Sequence, residues 1–402
     1  MERKKGYLAL ASGRIFEGYL YGASVDSAKK NGGEVVFNTS LSGYQEILTD
    51  PSYTGQIVVM TPSHIGNYGV NLVDVESSQV HLSGFVVQEL SELYSNWRAG
   101  MSLNEYLKNA GVIGLTGVDT RALTRYLRDL GAVNGIIAGE GFSKKELINR
   151  AKALPGLENR DLTAYVTTPQ IYTWKEKSPE LSPELKEPNR DNGKKYHVVV
   201  MDFGVKQNIL RCLSDRGCQV TVVPATTEAQ KIIDFNPNGV LFSNGPGDPA
   251  AVEKGIKTIE RLIQHNLDLK KNDKNPFAMF GICLGHQLLG LALGGKTYKL
   301  KFGYHGSNHP IKDLETGQVD ITAQNHGFCV AGEKTASGEW IIKGNKDAIV
   351  THINLNDNAI EGLRHKILPL FSVQYHPEAS SGPHDSQHLF DRFMKLMENS
   401  KN

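Results

Sequence analysis

Cysteine is scarce in this chain. Its 402 residues contain four, Cys212, Cys218, Cys283 and Cys329. No C-x-x-C occurs, which argues against zinc and dithiol redox sites, and no metal ligand is expected. So few thiols in so long a chain fit a reducing compartment, the cytoplasm. Long apolar runs are missing too: none approaches the roughly 18 residues of a membrane span. The opening MERKKGYLALASGRIFEG has a short apolar stretch broken by Gly13 and Arg14, so it does not read as a secretory signal. Without such a signal, the acceptor pattern Asn38-Thr39-Ser40 carries no weight. Net charge is nearly absent, +1 from 44 basic and 43 acidic residues. That balance gives no reason to expect a nucleic acid or an anionic membrane as partner. No Walker-type phosphate loop is found, so the chain has no ATP signature of its own. Asp202-Phe203-Gly204 spells a kinase triplet, but no Gly-rich loop or H-R-D segment accompanies it.

What is present suffices for two or three domains, at about 150 residues each. Hydrophobic residues make up 40% and charged residues 22%, so each half can build a core. Residues 1–166 carry short β-like runs punctuated by glycine, among them Val35-Val36-Phe37 and Ile57-Val58-Val59-Met60. A helix is predicted after Asp119, an N-cap residue, with Leu123, Tyr126, Leu127 and Leu130 on one face and Gly131 ending it. This half reads as a mixed α and β domain. Residues 167–195 are rich in proline and charge and read as a linker. Residues 196–402 change character again. HVVVM, VTVVP, GVLFSNG, FAMFGIC and LFSVQYHPEA are apolar strands, most of them separated by helical stretches. That pattern predicts an α/β domain, a parallel sheet with helices on both faces.

The segment PFAMFGICLGHQLLGLALGG is the most informative. An apolar strand runs into Gly281-Ile282-Cys283-Leu284-Gly285, and a leucine-rich helix follows. This is G-x-C-x-G at a strand-to-helix turn, the geometry of a nucleophile elbow. Flanking glycines suit a turn with little room beside the nucleophile. The helix N-terminus favours the reactive thiolate, and the Leu284 amide is free to face an oxyanion. With 41 Gly and 4 Cys in the chain, the pattern arises by chance in roughly 0.04 of such sequences. The alternative is a buried structural cysteine at a tight turn.

A cysteine nucleophile needs a histidine near it in space. Of 13 histidines, His376 follows the apolar run Leu370–Tyr375, at the carboxyl end of a predicted strand, where parallel sheets place their sites. Pro377 stiffens the turn, and Glu378 can accept from the ring and fix its tautomer. The alternative is a solvated surface turn. His286 reads as a packing residue on the helix after Cys283, and His305, His309 and His384 as solvated loop residues.

Together GICLGHQ, HPEAS and Ser243-Asn244-Gly245-Pro246-Gly247-Asp248-Pro249 resemble the class I glutamine amidotransferases. The remainder narrows the match. FNTSLSGYQEILTDPSYTGQ, PSHIGNYG, GVDTRALTRYLRDLGAVNGII, MDFGVKQNILR, FGYHGSNHPIKD and AQNHGFCV resemble the small-subunit family of carbamoyl-phosphate synthase. The likeness extends over nearly the whole chain outside the linker. Departures are a longer, more charged linker, the insert KKNDKN before the nucleophile strand, and Tyr304 where histidine is common.

The resemblance implies a catalytic triad of Cys283, His376 and Glu378. It implies backbone donors at Gly245 and Leu284, and glutamine contacts at Ser52, Gly247, Gln287, Asn325, Gly327 and Phe328. It implies that L-glutamine is hydrolysed through a γ-glutamyl thioester. It further implies that ammonia passes to a separate large synthetase subunit, which the N-terminal half docks. That subunit would hold ATP and Mg, use bicarbonate, and make carbamoyl phosphate for arginine or pyrimidine synthesis. No cofactor is implied on this chain. Rival readings are an amidotransferase of another pathway, a non-catalytic scaffold on the same fold, and a free-standing thiol hydrolase.

Overall fold

A computed structural model describes residues 4–28, 30–179, 193, 195–336, 338–342 and 347–400. Residues 180–192 and 194 of the expected linker lie outside them. The chain divides into two compact units: residues up to 158 with 300–307 and 380–382 form one, and the remainder forms the other.

The first unit is built on β1 (Lys5–Leu10), β2 (Ile15–Gly22), β3 (Gly32–Asn38), β4 (Gln56–Met60), β5 (His64–Ile65), β6 (Gly84–Val86), β7 (Glu89–Leu90), β8 (Ile113–Thr116) and β9 (Val133–Gly139). Seven of these close a barrel in the order β1-β2-β8-β6-β4-β3-β9, with β9 antiparallel to β1. The alternation of strand side chains explains the closure. Leu8, Leu10, Val35, Ile57, Val59, Ile113, Leu115 and Ile137 fill one cluster. Their neighbours Val36, Val58, Met60 and Phe85 face outward and are covered by α1 (Tyr44–Thr49) and α2 (Leu103–Ala110). The predicted helix appears as α3 (Thr120–Leu130). Asp119 caps it, accepting from the Ala122 amide at 2.8 Å. Leu147 and Ala151 of α4 (Lys144–Ala153) cover Ala9, Ile136 and Ala138.

The second unit holds a ten-stranded sheet. Its strands are β10 (Tyr172–Trp174), β11 (His197–Asp202), β12 (Gln219–Pro224), β13 (Gly239–Phe242), β14 (Ala278–Ile282), β15 (Thr297–Asp313, of which residues 300–307 belong to the first unit), β16 (Val319–Val330), β19 (Ala348–Asn354), β20 (Ile360–His365) and β21 (Leu370–Val373). A separate two-stranded ladder pairs β17 (Gly332–Lys334) with β18 (Trp340–Ile342). The order is β10-β12-β11-β13-β14-β21-β20-β19-β15-β16. β12, β11, β13, β14 and β21 pair in parallel, as the apolar runs predict. On one face, Val199 and Met201 pack with α6 (Ala229–Asp234), α7 (Glu253–Lys271) and α8 (Leu284–Ala292). On the other, Val198 and Val200 pack with α5 (Gln207–Asp215) and α9 (His388–Asn399).

The structure adds an antiparallel wing. β21, β20 and β19 pair antiparallel, as do β19 and β15. Among the described residues no helix separates these strands in the chain, so antiparallel pairing replaces the crossovers that parallel pairing requires. Among the described residues no helix is long and apolar enough to cross a membrane.

Candidate active site

The carboxyl ends of β11, β14 and β21 converge on one group of side chains. Cys283 ends the strand-to-helix turn between β14 and α8, and its backbone is strained at φ 53°, ψ −105°. A non-glycine residue there costs on the order of 1–3 kcal/mol and persists only where its surroundings enforce it. The enforcement is visible. The Cys283 amide donates to Val373 O at 2.9 Å, and the Gly285 amide to Ser243 O at 3.0 Å. A Cβ on Gly285 would sit 2.1 Å from Phe242 O, and one on Gly281 would lie 2.6 Å from Leu289 Cδ1 and 2.8 Å from the Gly285 backbone. Both glycines of G-x-C-x-G are thus required by close approach of backbone, not by flexibility.

His376 follows β21, and its amide donates to Ala323 O at 2.9 Å. Its Nδ1 lies 2.6 Å from Glu378 Oε1. With the carboxylate accepting, Nδ1 carries the proton and Nε2 is left for chemistry. Nε2 is buried and has no hydrogen-bond partner among the described residues. Burial alone would push the imidazole down. The Glu378 carboxylate outweighs it, the Cys283 thiol adds to the rise, and His376 is raised to about 10. Burial would likewise raise Glu378, but the Lys206 ammonium and the His376 ring hold it down at about 2. The Cys283 sulfur lies 3.6 Å from Asn325 O.

Lys206 was not singled out in the sequence. It is buried, and its Nζ donates to Glu378 Oε1 at 2.9 Å and to Ala379 O at 2.7 Å. A cation between an apolar strand and an amphipathic helix, at the carboxyl end of a parallel strand, was the available signal. Glu378 therefore sits between two cationic partners.

The other expected residues fall as follows. Gln287, one turn along α8 from Cys283, donates from Nε2 to Phe328 O at 2.6 Å. Asn325, Gly327 and Phe328 lie along β16. A Cβ on Gly327 would meet nothing within 4 Å, so that edge is open. Gly245 packs against the Phe203 backbone, where a Cβ would come within 2.1 Å of Phe203 O and 2.9 Å of Leu284 Cδ2. No loop or turn acceptor takes the Gly245 or Leu284 amide among the described residues. Gly247 adopts φ 95° and bridges to Asp161. Ser52 belongs to the other unit, where its amide donates to Asp50 Oδ1 at 2.9 Å. His286 is packed away: its Nδ1 meets Ser372 Oγ at 2.9 Å, and burial lowers it to about 3. His305 departs from expectation. It is buried on β15, not solvated in a loop. Among the described residues no group of three or more His, Cys, Asp or Glu side chains is placed to hold a metal ion.

Comparison with known proteins matches both halves. A family model described as Glutamine amidotransferase class-I covers residues 199–396. One described as Carbamoyl-phosphate synthase small chain, CPSase domain, covers residues 8–137. A protein of Syntrophotalea carbinolica named Carbamoyl phosphate synthase small chain is 51% identical over 99% of this chain and 99% of its own. The chain belongs to the carbamoyl phosphate synthase small-chain family. Relatives of the same name in Aquifex aeolicus and Salmonella typhimurium are 49% and 47% identical, each over 98% of this chain and 99% and 98% of their own lengths. Small-chain membership, with a class I amidotransferase domain, makes the protein a glutamine amidotransferase subunit.

Proposed function

We propose that this small-chain protein hydrolyses L-glutamine through a γ-glutamyl thioester on Cys283 and delivers the ammonia to a separate large synthetase chain. The observation that carries the reading is the buried Cys283, His376, Glu378 group beside a strained strand-to-helix turn. The Cys283 thiolate attacks the side-chain amide carbon of glutamine. The Gly245 and Leu284 amides take the developing oxyanion. His376 passes a proton to the leaving nitrogen, the C–N bond breaks, and ammonia departs. Water then attacks the thioester, with His376 as base, releasing glutamate and the thiol. Glu378 orients the ring and stabilises its charged form, and Lys206 holds the carboxylate in place. Gly247, Gln287, Asn325, Gly327 and Phe328 bind the substrate.

The large chain supplies ATP and Mg chemistry and consumes bicarbonate; this chain contributes no cofactor. The docking domain is the first unit, residues up to 158 with 300–307 and 380–382, and the second unit is the amidotransferase domain; Tyr172–Trp174, inside the expected linker, is a strand of the second unit's sheet and pairs with β12. The docking role is supported by Leu72, Leu93 and Trp97, which are 91%, 84% and 81% exposed on the first unit. Trp97 is of a residue type enriched at protein interfaces. All four cysteines are free thiols, which suits the cytoplasm.

The test is glutamate release from glutamine by the full chain, with and without the large chain, ATP and bicarbonate. Stimulation by the partner and its loss in Cys283→Ala are expected. Undiminished hydrolysis in Cys283→Ala overturns the nucleophile, and high activity indifferent to the partner marks a free-standing hydrolase.

A further inference from the structure

Gln374 is fully buried at the end of β21, two residues before His376. Its amide donates to Glu361 O at 2.8 Å, which pins the backbone. Its side-chain Oε1 accepts from Gln287 Nε2 at 3.1 Å. Its Nε2 has no acceptor among the described residues. A buried donor without an acceptor is a cost, so among the described residues the bond to Gln287 is the only one that rewards a carboxamide at this place.

The orientation of Gln287 follows. A backbone carbonyl only accepts, so the atom of Gln287 facing Phe328 O at 2.6 Å is nitrogen. Both protons of that nitrogen are then committed, one to Phe328 O and one to Gln374 Oε1. What Gln287 has left is its oxygen, an acceptor. Nothing in the described chain donates to it, and it is not among the sealed, unpartnered atoms. Gln287 lies one helical turn from Cys283. With the glutamine carboxamide at Cys283, the substrate's remaining donor is its α-ammonium, since the α-carboxylate only accepts.

We propose that Gln374 is a positioning residue that locks the Gln287 carboxamide with its oxygen presented, as the acceptor for the α-ammonium of glutamine. This rests on glutamine being the substrate. Without Gln374, one proton of Gln287 loses its acceptor, the amide turns more freely, and selection for the α-ammonium weakens while the chemistry at Cys283 persists.

The experiment measures KM and kcat of the full chain with its large chain, for glutamine and for glutaramate, which carries hydrogen in place of the α-ammonium. Gln374→Met keeps bulk and removes the acceptor. It is expected to raise KM for glutamine about tenfold with kcat changed by less than about twofold. Glutaramate turnover should not change. In a Gln287→Ala background the same substitution should add nothing, because the residue acts through Gln287. Equal losses for both substrates, or an undiminished effect in that background, overturn the proposal. Should Gln374→Met fail to fold, Gln374→Glu decides. It offers an oxygen acceptor in either protonation state, so its KM should stay near that of the unsubstituted chain; a KM as high as that of Gln287→Ala overturns the proposal. If the unsubstituted chain and its partner release no glutamate from glutamine, the functional reading fails instead, independently of Gln374.

Discussion

At the scale of single residues, Glu378 has to satisfy two neighbours. Its carboxylate accepts from the His376 ring and from the Lys206 ammonium, all three buried. His376 is raised, so its contribution to stability is complete below its ordinary value and is lost as pH climbs through about 10. Glu378 is depressed, so its contribution is complete above its ordinary value and is lost as pH falls through about 2. Glu378→Gln removes the charge that favours the imidazolium. The alkaline limb of kcat/KM for glutamine should therefore move to lower pH, and kcat/KM should fall on the order of 10²–10⁴-fold. The substitution also leaves the Lys206 ammonium buried without its counter-charge, at a cost of about 3–5 kcal/mol. A pH–rate profile and urea denaturation check both; an unmoved alkaline limb would remove Glu378 from its assigned role. Sequence reading reached Cys283, His376 and Glu378 because each sits in a short motif. It missed Lys206 because the residue's meaning depends on a carboxylate 172 positions away.

At the scale of elements, the turn from β14 into α8 fixes the nucleophile. The strand and helix were legible from apolar runs, and the glycines from their spacing. What they touch was not. A Cβ at Gly285 meets the carbonyl of Phe242, which belongs to the neighbouring strand β13 and cannot swing aside. Gly285→Ala should cost about 1–3 kcal/mol in unfolding free energy, and displacement of the turn should lower glutamine turnover on the order of 10²-fold. Retention of both in the purified variant would show that the turn tolerates opening. Glycine also misled. FGYHGSNHPIKD reads as a loop, yet Thr297–Asp313 is one strand of 17 residues. Gly303 at φ 73° sits within that strand and does not end it.

At the scale of the whole molecule, the prediction concerns association. The full chain and the large chain should elute together by size exclusion, and Trp97→Asp should weaken that complex by about tenfold or more. Separate elution of the unsubstituted pair would count against the docking role of the first unit. A Trp97→Asp variant that binds undiminished would move the interface elsewhere on it.

The sequence by itself determined the elements and the chemistry that short range can encode. Alternating and continuous apolar runs report which side chains face a core, and the motifs around Cys283 and His376 are local in the chain. Tertiary structure alone decided the rest. It closed seven strands into a barrel, and it added the antiparallel wing β20-β19-β15-β16 to a parallel sheet. It also set Lys206 against Glu378, and Gln374 against Gln287. Strand order and buried polar partnerships are fixed by contacts between distant segments, and no local pattern specifies which distant partner is met.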